Sequence, residues 1–185
     1  MEEISEDVLV RAAQGDLQAF EEVYKASSGF VYNVALRVVN NKEDAQEVTQ
    51  EVFLIIYNKL KSFRFESCFK TWAYRITANY AINFAKKTSR TKTVAFDESW
   101  GEGASSSEVD KQMDQEHQSL FVEKLLGEIT PDQRACVVLR NIEGLSYQEI
   151  ARALNININT VRSRLKRARE KLVSLKSNFQ GKGLL

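Results

Sequence analysis

"SYQEIARALNININTVRSRLKRAREKL", residues 146–172, contains two helix signals separated by a short turn. Ser146 and Glu149 form a capping box, in which each side chain bonds the other's backbone N–H, and an apolar run follows. The turn is NIN, and its last residue, Asn157, is predicted to cap the next helix. Two short helices joined in this way predict a helix-turn-helix.

The second helix of this motif has two chemically different faces at ~100° per residue. The apolar face contains Val161, Leu165, Ala168 and Leu172, and we expect its valine and leucines to pack on the Ile150–Leu154 helix. The opposite face is basic and polar, and residues 159–167 contain no acid, which argues against the alternative of a salt-bridged surface hairpin. Arginine pairs with guanine, and asparagine and serine read base edges. The residues expected to contact duplex DNA are Asn159, Thr160, Arg162, Ser163, Arg164, Lys166 and Arg167, with Arg164 and Arg169 suited to phosphates.

The helical period continues through most of the chain, and no two-residue alternation typical of strands competes with it. The only proline is Pro131, which follows Thr130 and therefore suits the first position of a helix. The pattern predicts an all-α protein with helices over 5–14, 16–39, 42–60, 69–87, 114–127, 131–142, 146–154 and 158–175.

One segment, "SRTKTVAFDESWGEGASSSEVD" at 89–110, lacks an apolar period and is rich in serine, glycine and acid. Such composition is typical of a flexible linker. We therefore predict two small helical domains, 1–88 and 116–185, joined by a flexible acidic linker over 89–115. The second domain contains the helix-turn-helix.

Composition excludes several classes of protein. No apolar run reaches the ~18 residues needed to cross a bilayer, and the acidic N-terminus is unlike a signal peptide. The two cysteines, Cys68 and Cys136, lack metal-type spacing and are interpreted as core residues of a reducing compartment. We expect a cytoplasmic protein without membrane insertion, metal or cofactor.

The net charge of +1 conceals four alternating blocks. Residues 1–58 contain eleven acidic and four basic side chains, and residues 59–95 contain one acidic and nine basic. Residues 96–130 contain nine acidic and two basic, and residues 131–185 contain four acidic and eleven basic. Solvated helix faces would explain any one block, but the alternation favours two anion-binding surfaces and a third surface for another partner.

The acidic first block includes the helix "NKEDAQEVTQEVFLIIYNKL" at 41–60, which has a predicted buried stripe. That stripe contains Ala45, Val48, Val52, Ile55 and Ile56. A separate contiguous face contains Asp44, Glu47, Gln50, Glu51, Leu54 and Asn58. An acidic face with an embedded leucine repels nucleic acid and suits a basic protein surface, although solvated acid is the alternative.

The basic second block, residues 59–87, mixes cations with seven aromatic residues. At helical spacing the aromatics of 69–84 do not share one side, so we expect some of them to be exposed. Exposed aromatics among cations stack on unpaired bases at ~1–3 kcal/mol per base. We interpret this segment as a surface for single-stranded or melted DNA, although aromatics such as Trp72 and Phe69 could individually be core residues.

These motifs resemble bacterial sigma factors of the extracytoplasmic-function group over nearly the whole chain. "EDAQEVTQEVFLIIYNKL" resembles the family's core-binding helix, and "FKTWAYRITANYAINFAKK" resembles its W-x-x-R-I-A-x-N helix. "ITPDQRACVVLRNIEGLSYQEIARALNININTVRSRLKRARE" is similar to the family's final domain. The chain departs from the usual pattern at Val48, Thr77 and Asn159, where leucine, alanine and glycine are common.

The resemblance implies a subunit that binds core RNA polymerase and directs initiation at specific promoters. Core polymerase would bind Asp44, Glu47, Gln50, Glu51 and Leu54. The melted minus-ten element, with one flipped base, would contact Ser62, Phe63, Arg64, Phe65, Trp72, Arg75, Asn79, Tyr80 and Asn83. The helix-turn-helix would read the duplex minus-thirty-five element, and an anti-sigma factor is a further expected partner.

Two other functions are alternatives for this sequence. An ordinary regulator with the same helix-turn-helix would bind paired half-sites as a dimer, but it leaves the aromatic segment and the acidic linker unexplained. A nucleic-acid enzyme is disfavoured because the chain has one histidine and neither a phosphate-binding glycine loop nor cysteine–histidine metal spacing. No catalytic residue is predicted.

Overall fold

The computed structural model describes residues 4–94, 122 and 124–180, and these residues form α-helices without a strand. The all-α prediction is confirmed. The helices are α1 (Glu6–Ala13), α2 (Leu17–Val39), α3 (Lys42–Leu60), α4 (Phe69–Val94), α5 (Pro131–Asn141), α6 (Tyr147–Leu154) and α7 (Ile158–Gln180). A further helical turn occupies 124–127.

Helices α4 and α7 are longer at their C-terminal ends than predicted. The helix predicted over 69–87 continues to Val94, so the first residues assigned to the linker are helical. The rest of the predicted linker lies outside the described residues. The helix predicted to end at 175 continues to Gln180. Neither stretch contains proline or glycine, so no residue interrupts the backbone hydrogen bonding at the predicted ends.

The predicted helix caps of the C-terminal segment are present. Thr130 Oγ1 accepts from the Gln133 N–H at 3.4 Å, and Gln133 Oε1 accepts from the Thr130 N–H at 3.0 Å. Ser146 and Glu149 make the same reciprocal pair at 3.2 and 2.7 Å. Asn157 Oδ1 accepts from the Asn159 N–H at 2.8 Å. Each cap satisfies donors that a helix start leaves unpaired, which is why these helices begin where the sequence indicates.

Helices α1 to α4 pack around a common core in which α2 contacts the other three. The predicted stripe of α3 is largely confirmed, since Ala45, Val48, Val52 and Ile56 are buried. Ile55 is only half-buried, and Phe53 is buried in addition. Phe53 is buried because its ring packs against that of Tyr24 on α2, with the ring centroids 4.6 Å apart.

Helices α6 and α7 form the predicted helix-turn-helix, and α5 packs against both of them. Val161 and Leu165 are buried in the cluster that contains Ile150 and Leu154, as expected. Leu172 instead packs against Leu126 and Ile129, the segment before α5, so its predicted contact with α6 is wrong. The short α6 ends at Leu154, well before the end of the longer α7, and the distal part of α7 therefore needs another element to cover it.

The two groups of helices pack against each other. Helix α4 contacts α5 and α6, and α2 contacts α5. Buried apolar side chains of α2, α3 and α4 belong to the same cluster as those of α5, α6 and α7. The predicted domains thus share one continuous apolar core.

The cysteines have different environments. Cys136 is buried, and burial raises the pKa of its thiol to about 11. Cys68 is exposed just before α4, with its Sγ 3.0 Å from Thr71 Oγ1, so its assignment to the core is wrong. Within the described residues, no helix combines the length and apolar character that a bilayer crossing requires.

Candidate functional site

Helix α3 presents the predicted acidic face to solvent. Glu47 and Gln50 are exposed, Asp44 and Glu51 are half-buried, and Leu54 is 57% exposed. We call these five residues the acidic face. Its carboxylates form no ion pair with any described side chain. An unneutralised acidic surface around an exposed leucine is suited to a basic, partly apolar partner.

The predicted DNA residue Tyr80 lies beside this acidic face. Its pKa is raised by burial first, and then by the negative charges of Glu51 and Glu47. Its ring is half-buried and lies 6.5 Å from that of Phe84. Tyr80 therefore lies close enough to the acidic face for its carboxylates to act on the phenol.

An aromatic pocket lies between the loop before α4 and helix α1. Its cavity has a volume of about 590 Å³ and includes Phe63, Phe65 and Phe69 in its lining. The Phe63 ring is 4.8 Å from that of Phe65 and 5.0 Å from that of Trp72. Phe65 has a φ of 57° and is 40% exposed. We call this the loop pocket, and its aromatic lining could receive a planar base.

The expectation of exposed aromatics along α4 is wrong. Phe69 and Tyr74 are buried, and Trp72, Tyr80 and Phe84 are half-buried. These side chains point in several directions, but α2, α3, α5 and α6 all pack against α4 and cover them. The exposed aromatic of this region is Phe65, in the loop.

Of the remaining predicted minus-ten residues, some side chains are exposed and others are hydrogen-bonded within the protein. Arg64, Arg75 and Asn83 are exposed. Ser62 is exposed and donates to the Lys59 carbonyl at 2.8 Å. Asn79 is half-buried, and its Nδ2 donates to the Arg75 and Ala153 carbonyls at 2.7 and 2.8 Å, the latter belonging to α6. The structure thus leaves Ser62, Arg64, Arg75 and Asn83 exposed but gives Asn79 an intramolecular partner.

Helix α7 presents its polar face outward, as predicted. Asn159, Arg162, Lys166 and Arg167 are exposed, whereas Thr160 and Ser163 are half-buried. The Arg162 Nη1 donates to Asn159 Oδ1 at 2.8 Å. A guanidinium held in this way has fewer orientations to lose when it meets a base.

Arg164 differs from the other basic residues of this face. Its Nη2 lies 2.8 Å from Asp132 Oδ1, and its side chain is 24% exposed. The other oxygen of Asp132 lies 2.7 Å from Lys86 Nζ on α4. Arg164 is therefore held against α5 and is less available to phosphates than Arg169, which is exposed.

No sequence pattern indicated the residues that join the two groups of helices. Lys86, Asp132 and Glu143 were not singled out, and Arg134 appeared only within a motif. Their partners in the other group of helices lie 46 to 96 residues away, whereas periodicity and capping patterns report only neighbours within one helix. No local signal could have identified them.

Two family models match the chain. The sigma-70 region 2 model matches residues 23–91, and the sigma-70 region 4 model matches residues 122–172. The first match includes the acidic face and the loop before α4, and the second includes the outward face of α7.

Curated relatives match over most of the chain. The ECF RNA polymerase sigma-E factor of Escherichia coli K12 is 33% identical over 178 residues, which cover 91% of this chain and 93% of the relative. The RNA polymerase sigma-H factor of Pseudomonas aeruginosa is 31% identical over 177 residues, covering 91% and 92%. The chain spans only 62% of the ECF RNA polymerase sigma factor SigE of Mycolicibacterium smegmatis, at 30% identity.

Solved structures have the same fold. CnrH, in complex with the cytosolic domain of CnrY, matches with a TM-score of 0.62 at 23% identity, covering 92% of this chain and 96% of that one. The sigma factor RpoE of Bartonella quintana, in complex with the anti-sigma factor NepR, also matches with a TM-score of 0.62, at 24% identity over 85% and 96% of the two chains.

Proposed function

The chain belongs to the extracytoplasmic-function group of sigma-70 family sigma factors, and we propose that three of its surfaces divide the work of promoter-specific transcription initiation. As a sigma factor, it binds core RNA polymerase and directs initiation at particular promoters. We assign no catalytic residue to it, because its contribution is recognition and strand capture within an enzyme that supplies the chemistry.

The acidic face of α3 is proposed to bind core polymerase. Glu47 and Gln50 are exposed, and Leu54 provides an apolar anchor among them. Complementary charge steers association and fixes the register of two surfaces. The partner is expected to be a basic helical surface with an apolar groove for Leu54.

The loop pocket is proposed to capture one flipped base of the melted minus-ten element. Phe63 and Phe65 provide the stacking surface, and the exposed Arg64 and Arg75 provide positive charge for the phosphates nearby. Capture of one extruded base would stabilise the open strands in preference to duplex, because only an unpaired base reaches the pocket.

The outward face of α7 is proposed to read the minus-thirty-five element in the major groove. The observation that carries the proposed function is this face: Asn159, Arg162, Lys166 and Arg167 are exposed on a helix whose start is capped by Asn157. No acid lies within residues 159–167, and Lys166 makes one long, exposed ion pair with Glu170, at 3.9 Å. Exposed cations on the second helix of a helix-turn-helix are suited to DNA.

An anti-sigma factor is a further proposed partner, because the similar sigma factor of Bartonella quintana was solved with one. Such a protein would keep the factor from polymerase until it is released. Since its polymerase partner works on the bacterial chromosome, we also propose a cytoplasmic location.

Run-off transcription tests the function directly. Core polymerase with this protein should initiate from particular members of a promoter library, whereas core polymerase alone should not. The matched control is the same chain with Arg162, Lys166 and Arg167 replaced by alanine. Equal and specific binding to a palindromic site by a dimer of this protein without polymerase would contradict the proposal and favour an ordinary regulator.

Two substitutions of Phe65 separate its backbone strain from its aromatic ring. Phe65→Ala and Phe65→Gly both remove the ring, so both are expected to reduce open-complex formation by the holoenzyme about tenfold, at ~1–3 kcal/mol per stacked base. Their stabilities should differ, because only glycine adopts a φ of 57° without cost. We expect the glycine variant to be about 1 kcal/mol more stable in urea unfolding. A glycine variant that initiates like the unsubstituted chain would exclude a role for the ring.

A further inference from the structure

A cavity lies where the end of α2, helix α4 and the segment before α5 meet. Its volume is about 480 Å³, and its lining includes Asn40, Thr88 and Arg134. This volume falls within the range of roughly 300–1,000 Å³ that is typical of small-molecule sites. We call it the junction cavity. It is separate from the loop pocket and shares only Asp44 with the surfaces described above.

Arg134 lines the junction cavity with one hydrogen-bond donor unpaired. The side chain is 6% exposed, and its Nη1 and Nη2 donate to the Val38 and Ile129 carbonyls at 2.9 and 3.1 Å. Its Nε has no hydrogen-bond partner among the described residues. Burial lowers the pKa of Arg134 to about 10, so the guanidinium still carries its proton at neutral pH. A buried cationic donor without an acceptor is costly, and an anionic oxygen of a ligand would remove that cost.

Asn40 provides an acceptor in the lining of the same cavity. It ends α2 in the left-handed conformation, with a φ of 61°, and its Oδ1 is buried without a partner in the described part of the chain. The Nδ2 of the same amide packs closely against Gly127, where an added Cβ atom would lie 3.2 Å from it. The amide is therefore confined on its nitrogen side, and an N–H donor of a ligand would satisfy its oxygen.

The size of the junction cavity favours a ligand larger than water. Two water molecules would satisfy the two unpaired atoms, but each takes up only about 30 Å³ in the liquid. The cavity is about 480 Å³, so two waters would fill a small part of it. A single molecule with an acceptor for Arg134 and a donor for Asn40 would satisfy both atoms and fill more of the space.

The charges of the lining indicate the chemical class of that molecule. The lining contains one cation, Arg134, and the carboxylates of Asp44 and Glu128. A purely anionic ligand would therefore meet more negative than positive charge. A ligand with both a carboxylate and an ammonium group finds an opposite charge for each, at Arg134 and at Asp44. Glu128 is exposed, and solvent screens its charge.

We propose that the junction cavity binds a small zwitterion, namely a free amino acid or a dipeptide, with its carboxylate at Arg134 Nε and its ammonium group at the Asn40 and Asp44 oxygens. The proposal goes beyond the proposed function, because it concerns binding by the free chain without polymerase or promoter. Residues of α3, α4 and α5 and the connections between helices contribute to the lining. A ligand that binds only this folded arrangement stabilises the chain by mass action.

Thermal unfolding of the free chain tests the proposal, with the twenty standard amino acids and glycylglycine as probes. At ~10 mM, a hundredfold excess over a Kd of about 0.1 mM, at least one probe should raise the Tm by about 5 °C. The N-acetyl derivative of that probe lacks the ammonium group, and its carboxamide lacks the carboxylate. Each should bind about tenfold more weakly in calorimetric titration. A panel without any Tm increase, or inorganic phosphate that binds as tightly as the best probe, would overturn the proposal.

Asn40→Gly tests the location of the site. Glycine adopts a φ of 61° without strain, so the end of α2 should be retained while the amide oxygen is lost. The variant should bind the best probe about tenfold more weakly. Asn155→Gly is the matched control, because Asn155 ends α6 in the same conformation, with a φ of 51°, and does not line the cavity. Its affinity for the probe should equal that of the unsubstituted chain.

Amide NMR of the isotope-labelled chain provides a readout that does not depend on a substitution. The best probe should shift the signals of Asn40, Thr88 and Gly127 and leave that of Phe65, in the loop pocket, unchanged. Shifts confined to the loop pocket, or equal losses of affinity in Asn40→Gly and Asn155→Gly, would overturn the inference. Because polymerase and promoter are absent from these measurements, their outcome is independent of the transcription assay.

Discussion

Replacing Glu47 and Glu51 together by lysine is expected to weaken binding to core polymerase at least a hundredfold and to abolish promoter-dependent initiation. The substitution places positive charge opposite a surface proposed to be basic. Close charge pairs across protein interfaces have coupling energies of ~1.5–7 kcal/mol, and a hundredfold loss corresponds to about 2.7 kcal/mol. The measurement is titration of labelled core polymerase with the variant, followed by run-off transcription.

The fold should tolerate this double substitution. Neither carboxylate forms an ion pair within the described residues, and Glu47 is exposed and Glu51 half-buried, whereas the core residues Val48 and Val52 are fully buried. Glu128→Lys together with Glu170→Lys makes the same change of net charge on exposed positions outside α3, and it should leave polymerase binding nearly unchanged. Equal losses in the two double variants would indicate a general charge effect and contradict the assignment of the acidic face.

The acidic face and the helix-turn-helix were predictable because local rules determine both. A helix repeats every 3.6 residues, so the burial of Val48 and Val52 also determines which residues of α3 face outward. The caps at Thr130 and Ser146 likewise depend on residues three positions away. In both cases the residues of one helix determine which side chains are buried or capped, and the tertiary contacts are consistent with that local pattern.

The features that could not be predicted depend on contacts between distant elements. The aromatics of α4 were expected to be exposed because they do not share one side of the helix, but α4 is covered on several sides. No contact was predicted for Arg134, although it lies within a quoted motif. Its guanidinium donates to the carbonyls of Val38 and Ile129. Cys68 is exposed because the chain turns at the loop before α4, a turn that includes the left-handed Phe65. A single sequence contains no periodic signal for such contacts.

Replacing Arg162 by alanine is expected to relax recognition at one base pair of the minus-thirty-five element. Arg162 is exposed on the outward face of α7, where a guanidinium can bond two acceptors of guanine. Loss of one such pair should reduce discrimination at that base pair about 5- to 150-fold, equivalent to ~1–3 kcal/mol, and leave the other base pairs nearly unaffected. The measurement is holoenzyme binding to a set of promoters that carry every single substitution in the element.

Arg169→Ala is the matched control for Arg162→Ala, because Arg169 is also an exposed arginine of α7 but was assigned to phosphates. It should weaken binding to all promoters alike and lower the salt dependence of binding by about one counterion. A uniform loss with Arg162→Ala would contradict its proposed role in reading a base.

Asn159 is expected to act through Arg162, since its Oδ1 accepts the hydrogen bond from Arg162 Nη1 at 2.8 Å. Asn159→Ala should therefore relax recognition at the same base pair that Arg162→Ala affects, by a smaller factor because the arginine remains and loses only its orientation. In the Arg162→Ala background, Asn159→Ala should change nothing further, since there is no guanidinium left to orient. The two changes would then be non-additive by ~0.5–3 kcal/mol, as residues in direct contact commonly are. Additive losses at two different base pairs would mean that Asn159 reads a base by itself, and that the hydrogen bond between the two side chains is broken when DNA binds.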